Sequence, residues 1–377
     1  MKLFSLQLVT IILIIICFNA CKQQPKAELD TTNNYTKTNI KYAKGFEIQH
    51  FNNYKKLLIK APYKNSKETF EFILSKKKES NVKNSIQVPL KSIVVTSTTH
   101  IPMLELLQVE NRLIGYPNTS YISSKKTRKL VDNGAIKDLG NEERINTELL
   151  LDLNPDTVIG FSINSNSKMF ANIQQFGIPV ILNGDWLEET PLGRAEWIKF
   201  FGVLFDKEKM ADSIFNDIEK NYLNAKNIAS KATEKPTVIS GGLFKDIWNL
   251  PAGNSFEATF LKDANINYLW KDSKGKGSLS LNIENVFEKG KNADIWISPS
   301  FYPNLTEIKE ANDLYSKFKA FTNNEVFSFV NKKGEKGGII YFELAPSRPD
   351  LVLKDLIKIA HPELMKNYNF TFYERLK

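Results

Sequence analysis

Asn146-Thr-Glu-Leu-Leu-Leu-Asp-Leu-Asn-Pro-Asp-Thr-Val-Ile-Gly-Phe-Ser162 is the stretch whose reading decides the fold. Asn146-Thr-Glu148 opens a short helix, and Asn154-Pro155-Asp156 closes it, because the residue before a proline is driven out of the helical region. The run Thr157–Phe161 then reads as a buried strand that ends at Ser162. The other half of the chain repeats the pattern. Asn282-Ile-Glu284 opens a helix, Asn292-Ala-Asp294 closes it, and the strand Ile295-Trp-Ile297 runs into Ser298-Pro-Ser300. Both units have Asn-x-Glu at the start, Asn-x-Asp before the strand and a serine six residues after that aspartate, and they differ only by two residues in the middle. One αβ unit in each half predicts two similar lobes facing each other. Chance likeness of generic αβ units is the alternative.

Outward from this pair, Ser92–Thr96 is a short apolar strand followed by Ser97-Thr98-Thr99-His100. Pro102, near the first helical position, marks a helix start there. Strand, polar loop and helix together place free N–H groups and hydroxyls at the carboxyl end of a strand, where open α/β sheets bind ligands. The second half restarts with Thr237–Ile239 and the polar mouth Ser240-Gly241-Gly242, and Asn254-Ser255 caps a helix over Phe256–Ala264. Between the halves, Pro191–Thr233 is helical. Asp206 caps a second segment, and from Lys207 to Lys231 Met210, Ile214, Ile218, Tyr222 and Ala225 recur at helical spacing without Pro or Gly. Such a segment is a rod of roughly 37 Å, stiff enough to limit the lobes to rocking through small angles.

Upstream, Phe46, Ile48, Leu57, Ile59, Phe70, Phe72 and Leu74 alternate between turn signals and predict a small antiparallel extension. The first residues read as an export signal. Lys2 precedes an apolar run from Leu8 to Phe18, too short to span a bilayer, and Phe18-Asn-Ala-Cys21 resembles the lipobox of bacterial lipoproteins, with Phe18 in place of the usual leucine. That resemblance implies acylation of Cys21; an ordinary cleaved signal with an incidental cysteine is the alternative. The polar stretch that follows reads as a flexible tether. The expected organisation is a signal over 1–20, a tether over 21–44, a β extension over 45–90, an N-terminal lobe over 91–190, connecting helices over 191–233 and a C-terminal lobe over 234–377.

Composition excludes several classes. A net charge of +9 is spread as short lysine runs with no basic stripe and no nucleic-acid module. The two cysteines, Cys17 and Cys21, leave the body without a disulfide, a redox pair or a thiolate metal site. The three histidines His50, His100 and His361 are far apart, which argues against direct binding of a bare metal ion. No Walker A loop, GxSxG elbow, GxGxxG after a strand or HExxH occurs, so an enzyme is not expected and no catalytic residue or cofactor is assigned.

Arg112-Leu-Ile-Gly115, Glu148 to Ile159, Phe176-Gly-Ile-Pro-Val-Ile181 and the helical connector come in an order that resembles the periplasmic binding proteins with a helical backbone. Those proteins serve ABC importers of ferric siderophores, haem and cobalamin, and the likeness extends from about Ser92 to the C-terminus. It implies an α/β fold of two Rossmann-like lobes joined by a long rigid helix. The expected function is a monomeric substrate-binding lipoprotein of the cell envelope that passes a metal chelate to an ABC permease and its ATPase. A surface lipoprotein with an adhesion or assembly role is the alternative, with a hydrolase third.

Strand-end position and chemistry give the cleft candidates Thr98, Thr99, His100, Tyr116, Tyr121, Ser162, Trp186, Trp248, Phe301 and Tyr341. Arg348 is added as a partner for an anionic ligand group or, alternatively, for Glu343. His100 is a candidate axial ligand to haem or cobalt, or else a capping or hydrogen-bonded histidine. The family resemblance implies a permease-docking acid in each lobe. Glu343 takes that place in the second lobe, whereas the first has Ser167 or Lys168 there, with Glu188 or Glu189 as substitutes.

Overall fold

The computed structural model describes residues 34–77, 79, 82–141, 144–163 and 168–377. Cys17, Cys21, the export signal and Ser167 lie outside them. Among the described residues no helix is long and apolar enough to cross a membrane.

The first lobe is built on a five-stranded parallel sheet. Its spatial order is Val180–Leu182, Thr157–Gly160, Ile93–Val95, Leu113–Tyr116 and Lys137–Asp138. The first strand in sequence therefore lies between the second and the fourth, and connections leave it in both directions. The second lobe has the order Asn267–Tyr268, Thr237–Ser240, Ile295–Ile297, Val326–Ser328, with Glu374–Arg375 added antiparallel at the edge. Each sheet thus has a switch point beside its first strand, where the loops part and leave a crevice.

The repeated αβ unit has a physical basis. Asn146 and Asn282 are both N-caps, accepting from Leu149 N at 3.0 Å and Asn285 N at 2.9 Å. At the far end, Asp156 accepts the backbone N–H of Lys91 at 2.6 Å and of Ser92 at 3.0 Å, tying its strand to the entry of Ile93–Val95. Asp294 does the same in the other lobe, accepting Thr237 N at 2.8 Å and Thr237 Oγ1 at 2.7 Å. In each unit the asparagine fixes where the helix begins, and the aspartate sets two parallel strands side by side. Parallel strands have no hairpin to align them, so a carboxylate shared across the pair takes on that task.

The connector helix spans Glu208–Ala229, shorter at both ends than the expected segment, and its 22 residues give a rod of roughly 33 Å. It buries Ala211, Phe215, Ile218, Tyr222 and Ala225 along one face. The extension begins earlier than the sequence pattern predicts. Its five strands run from Thr36–Lys37 to Ser85–Gln87, and the central register pairs Phe46 with Ile59, Ile48 with Leu57 and Leu57 with Phe72. All of these side chains are buried. The face packs on the short helices before the connector, with the Phe46 and Trp197 rings 4.8 Å apart.

The last part of the expected tether is docked instead of free. Fully buried Glu196 accepts the backbone N–H groups of Lys41, Tyr42 and Ala43 at 2.9, 2.7 and 3.0 Å. Glu188 accepts those of Lys44 and Gly45 at 2.9 Å each, and Tyr42 donates to Glu219 on the connector helix. A polar stretch without apolar periodicity is thus held by buried carboxylates contributed from far along the chain, a form of order that composition does not reveal.

Candidate functional site

Both switch points open into one cavity of about 730 Å³. The first lobe supplies Ser97, Thr98, Thr99 and Phe161 from strand-end loops, and Asp185 and Trp186 from the turn after Val180–Leu182. The second lobe supplies Ser240, Gly241, Ile297 and Ser298 from its own switch point. Phe256, Glu257, Phe329, Tyr341, Phe342 and Tyr373 close the walls, and Arg194 reaches in from the helix Pro191–Ala195. Eight of the lining residues are aromatic. Phe161 and Trp186 meet edge to face at 5.6 Å, and Phe329 and Tyr341 stack at 4.2 Å. Such rings give a flat or bulky solute extensive contact at little entropic cost.

Arg194 is the fixed cation of this chamber. Its guanidinium lies 3.7 Å from the centre of the Phe256 ring, and Nη2 donates to the Trp186 carbonyl at 3.0 Å. Among the described residues its buried Nε has no partner, nor has the buried indole N–H of Trp186. Asp185 accepts from Thr99 Oγ1 at 3.3 Å, and desolvation pushes its carboxyl up to about 6 although the Arg194 charge pulls it the other way. Glu257 stands in the first turn of the helix Phe256–Asp263, which Ser255 caps by accepting from Ala258 N at 3.1 Å. Among the described residues no group of three or more His, Cys, Asp and Glu side chains is placed to hold a metal ion.

Four of the expected cleft residues, Thr98, Thr99, Trp186 and Tyr341, line the cavity. The others do not. His100 is turned inward against Phe201, with ring centres 5.5 Å apart, and is only 1% exposed. Burial drives its pKa down to about 3, so it stays neutral, and among the described residues neither ring nitrogen has a partner. Tyr116 and Trp248 are core residues. Trp248 stacks on Trp296 at 5.4 Å and donates to the Ser240 carbonyl. Ser162 is buried beside Phe161, while Tyr121 and Phe301 face outward. Arg348 is engaged by Asp350 through two bonds of 2.8 Å and is not a partner of Glu343.

Glu343 needs the largest correction. It is 3% exposed and accepts the backbone N–H of Ser123 at 2.7 Å and of Ser124 at 2.8 Å, across the boundary between the lobes. Around it, a Cβ on Gly334 would lie 2.6 Å from Ser123 Cα, and one on Gly338 2.4 Å from the Tyr121 carbonyl oxygen. A carboxylate enclosed this way is a clasp between lobes and is not presented to a basic socket. Glu188 is likewise occupied, by Lys44, Gly45 and the Trp197 indole. Glu189 is 38% exposed and forms a second inter-lobe link, an ion pair with Lys276.

Sequence reasoning missed Asp185, Arg194 and Glu257. Asp185 adjoins Trp186 on a strand-end loop, so the rule that found one should have found the other. Arg194 sat in a segment read as a connector, and Glu257 in the first turn of a correctly read helix. No local signal marks either as facing a cleft.

With this geometry in view, the chain can be compared with known proteins. It is 31% identical over 297 residues, 76% of its length and 69% of the relative's, to an uncharacterized lipoprotein of Methanocaldococcus jannaschii. A periplasmic binding protein from Veillonella parvula superposes with a TM-score of 0.60 at 13% identity, covering 91% of this chain and 100% of that one. A possible iron-binding, periplasmic solute-binding protein from Staphylococcus epidermidis superposes with a TM-score of 0.56 at 20% identity, covering 72% and 98%. The sequence pattern of the periplasmic binding protein family matches residues 93–331, more than half of the chain. The chain therefore belongs to the periplasmic binding protein family and is a solute-binding protein, not an enzyme.

Proposed function

We propose that this protein captures a metal complex in an organic chelator, of the ferric siderophore, haem or cobalamin class, and delivers it to an ABC permease. The supporting observation is the cavity of about 730 Å³ between two switch points, lined by aromatic rings and by the half-buried guanidinium of Arg194. That volume falls within the range of sites that enclose a whole organic solute. Thr98, Thr99, Trp186 and Tyr341 are the ligand contacts carried forward from the sequence, and Arg194 joins them as the donor for an anionic ligand edge. The iron-binding description of the Staphylococcus epidermidis protein, which shares the fold, points to the same solute class. We further propose a lipid anchor at Cys21 and a monomer whose lobes follow the boundaries 91–190 and 234–377.

A thermal-shift screen of the full chain tests the reading, using ferric siderophores, haem and cyanocobalamin, with free iron and zinc as controls. A ligand at a hundred times its Kd adds about 2.7 kcal/mol, which raises the midpoint by several degrees. A shift with one complex and none with free metal is expected. A shift with free metal alone defeats the proposal. Exchange of Cys21 for serine is expected to release the protein from membranes, and retention on them counts against the anchor.

A further inference from the structure

Four charged side chains line the cleft: Asp185, Arg194, Glu257 and Lys276. Lys276 is already paired with Glu189, which leaves two acids against one base. Asp185 has internal support from Thr99 and from the Trp186 backbone. Glu257 differs. Its side chain is exposed, and that exposure is to the cavity, whose walls desolvate it enough to push its pKa up. Among the described residues no hydrogen bond or ion pair holds its carboxylate, and Arg194 acts on it only from beyond ion-pair distance. Its negative charge also reaches the phenols of Tyr268, Tyr341 and Tyr373, which it helps to keep protonated.

An unpaired carboxylate facing a chamber that a solute will empty of water is costly unless the solute supplies its partner. Arg194 does not fill that role: among the described residues no ion pair joins it to Glu257, and its guanidinium, held against Phe256 and by the Trp186 carbonyl, keeps donors spare for an oxygen of the solute. Beside these charged groups the cavity carries the rings of Phe161, Trp186, Phe256, Phe329, Tyr341 and Tyr373, and a ring face turned to the solute favours a cation. We propose that the ligand carries a protonated amine, and that Glu257 receives it as its counter-ion inside the aromatic chamber while Arg194 holds an oxygen-rich edge of the same molecule. The inference rests on the metal-complex reading above and narrows it to chelates bearing a pendant ammonium.

The test uses the full chain, titrated by tryptophan fluorescence with a ferric trihydroxamate bearing a free primary ammonium and with the same complex after acetylation of that amine. The native protein is expected to prefer the ammonium form by roughly ten-fold or more. Glu257→Gln, with an unchanged thermal midpoint, is expected to erase the preference, and Glu257→Asp to restore part of it. Equal affinity for the two forms overturns the proposal, as does a preference that survives Glu257→Gln. Binding of haem or cyanocobalamin with neither trihydroxamate bound also overturns it and leaves the metal-complex function standing. Failure of every complex to bind removes that function and this inference together.

Discussion

His100 has the residue type and position of a ligand, yet it serves neither as a metal ligand nor as a cap. Its imidazole is enclosed by apolar groups and Phe201, and among the described residues both nitrogens lack partners. Because its folded pKa of about 3 lies below the ordinary value of 6.5, the unfolded chain takes up the proton first as the medium becomes acidic. The associated stability is complete above about pH 6.5 and is lost as pH falls toward 3, by up to about 5 kcal/mol. His100→Leu is expected to remove this acid sensitivity while altering neutral stability by no more than about 1–2 kcal/mol. Urea denaturation between pH 4 and 7 checks this, and an unchanged slope against pH in the variant refutes it. His100 misled because a polar loop leading into a helix predicts the location of a site, whereas here the helix is buried from its first residue, His100 to Leu104 all lying in the core.

At the scale of elements, the sequence was most legible where the same local chemistry occurs twice. Asn146 and Asn282 as caps, and Asp156 and Asp294 as cross-strand acceptors, form the paired signature read at the outset, and the two parallel sheets follow from it. The alternation in the extension also translated directly, since Phe46, Ile48, Leu57 and Ile59 meet in register on one buried face. Long-range carboxylates such as Glu196 and Glu343 were illegible, because their backbone partners are distant in sequence and carry no side-chain signature. Asp156→Ala and Asp294→Ala are each expected to cost about 1–3 kcal/mol, since each strands backbone donors at a strand entry. Hydrogen exchange should show the loss concentrated in Ile93–Val95 for the first variant and Thr237–Ser240 for the second. A loss spread evenly over both lobes would contradict this account.

Across the whole molecule, the connector helix, the Glu189–Lys276 pair and the Glu343 clasp on Ser123 and Ser124 each tie one lobe to the other. Desolvation raises the Glu343 carboxyl to about 7, partly opposed by the two N–H donors and reinforced by nearby Glu105. A raised acid pKa contributes stability below its ordinary value of 4.5, and that contribution is lost as pH rises through 7, by up to about 3 kcal/mol. Glu343→Gln should therefore flatten the fall in thermal midpoint between pH 5 and 8. Glu343→Ala should leave the lobes folded and increase the radius of gyration measured by X-ray scattering. An unaltered radius would show that the clasp does not hold the lobes together.

The connector also has a consequence for timing. Two lobes braced by a 22-residue helix form a vessel whose mouth is set before the solute arrives. Capture then needs no slow rearrangement, and the encounter is limited by diffusion and orientation. On the expectation that a stiff connector limits the lobes to small rocking angles, discharge is the opposite case, and a long residence time follows. On the proposed function, emptying the vessel is work for the permease that receives it, and the energy for release comes from outside this chain.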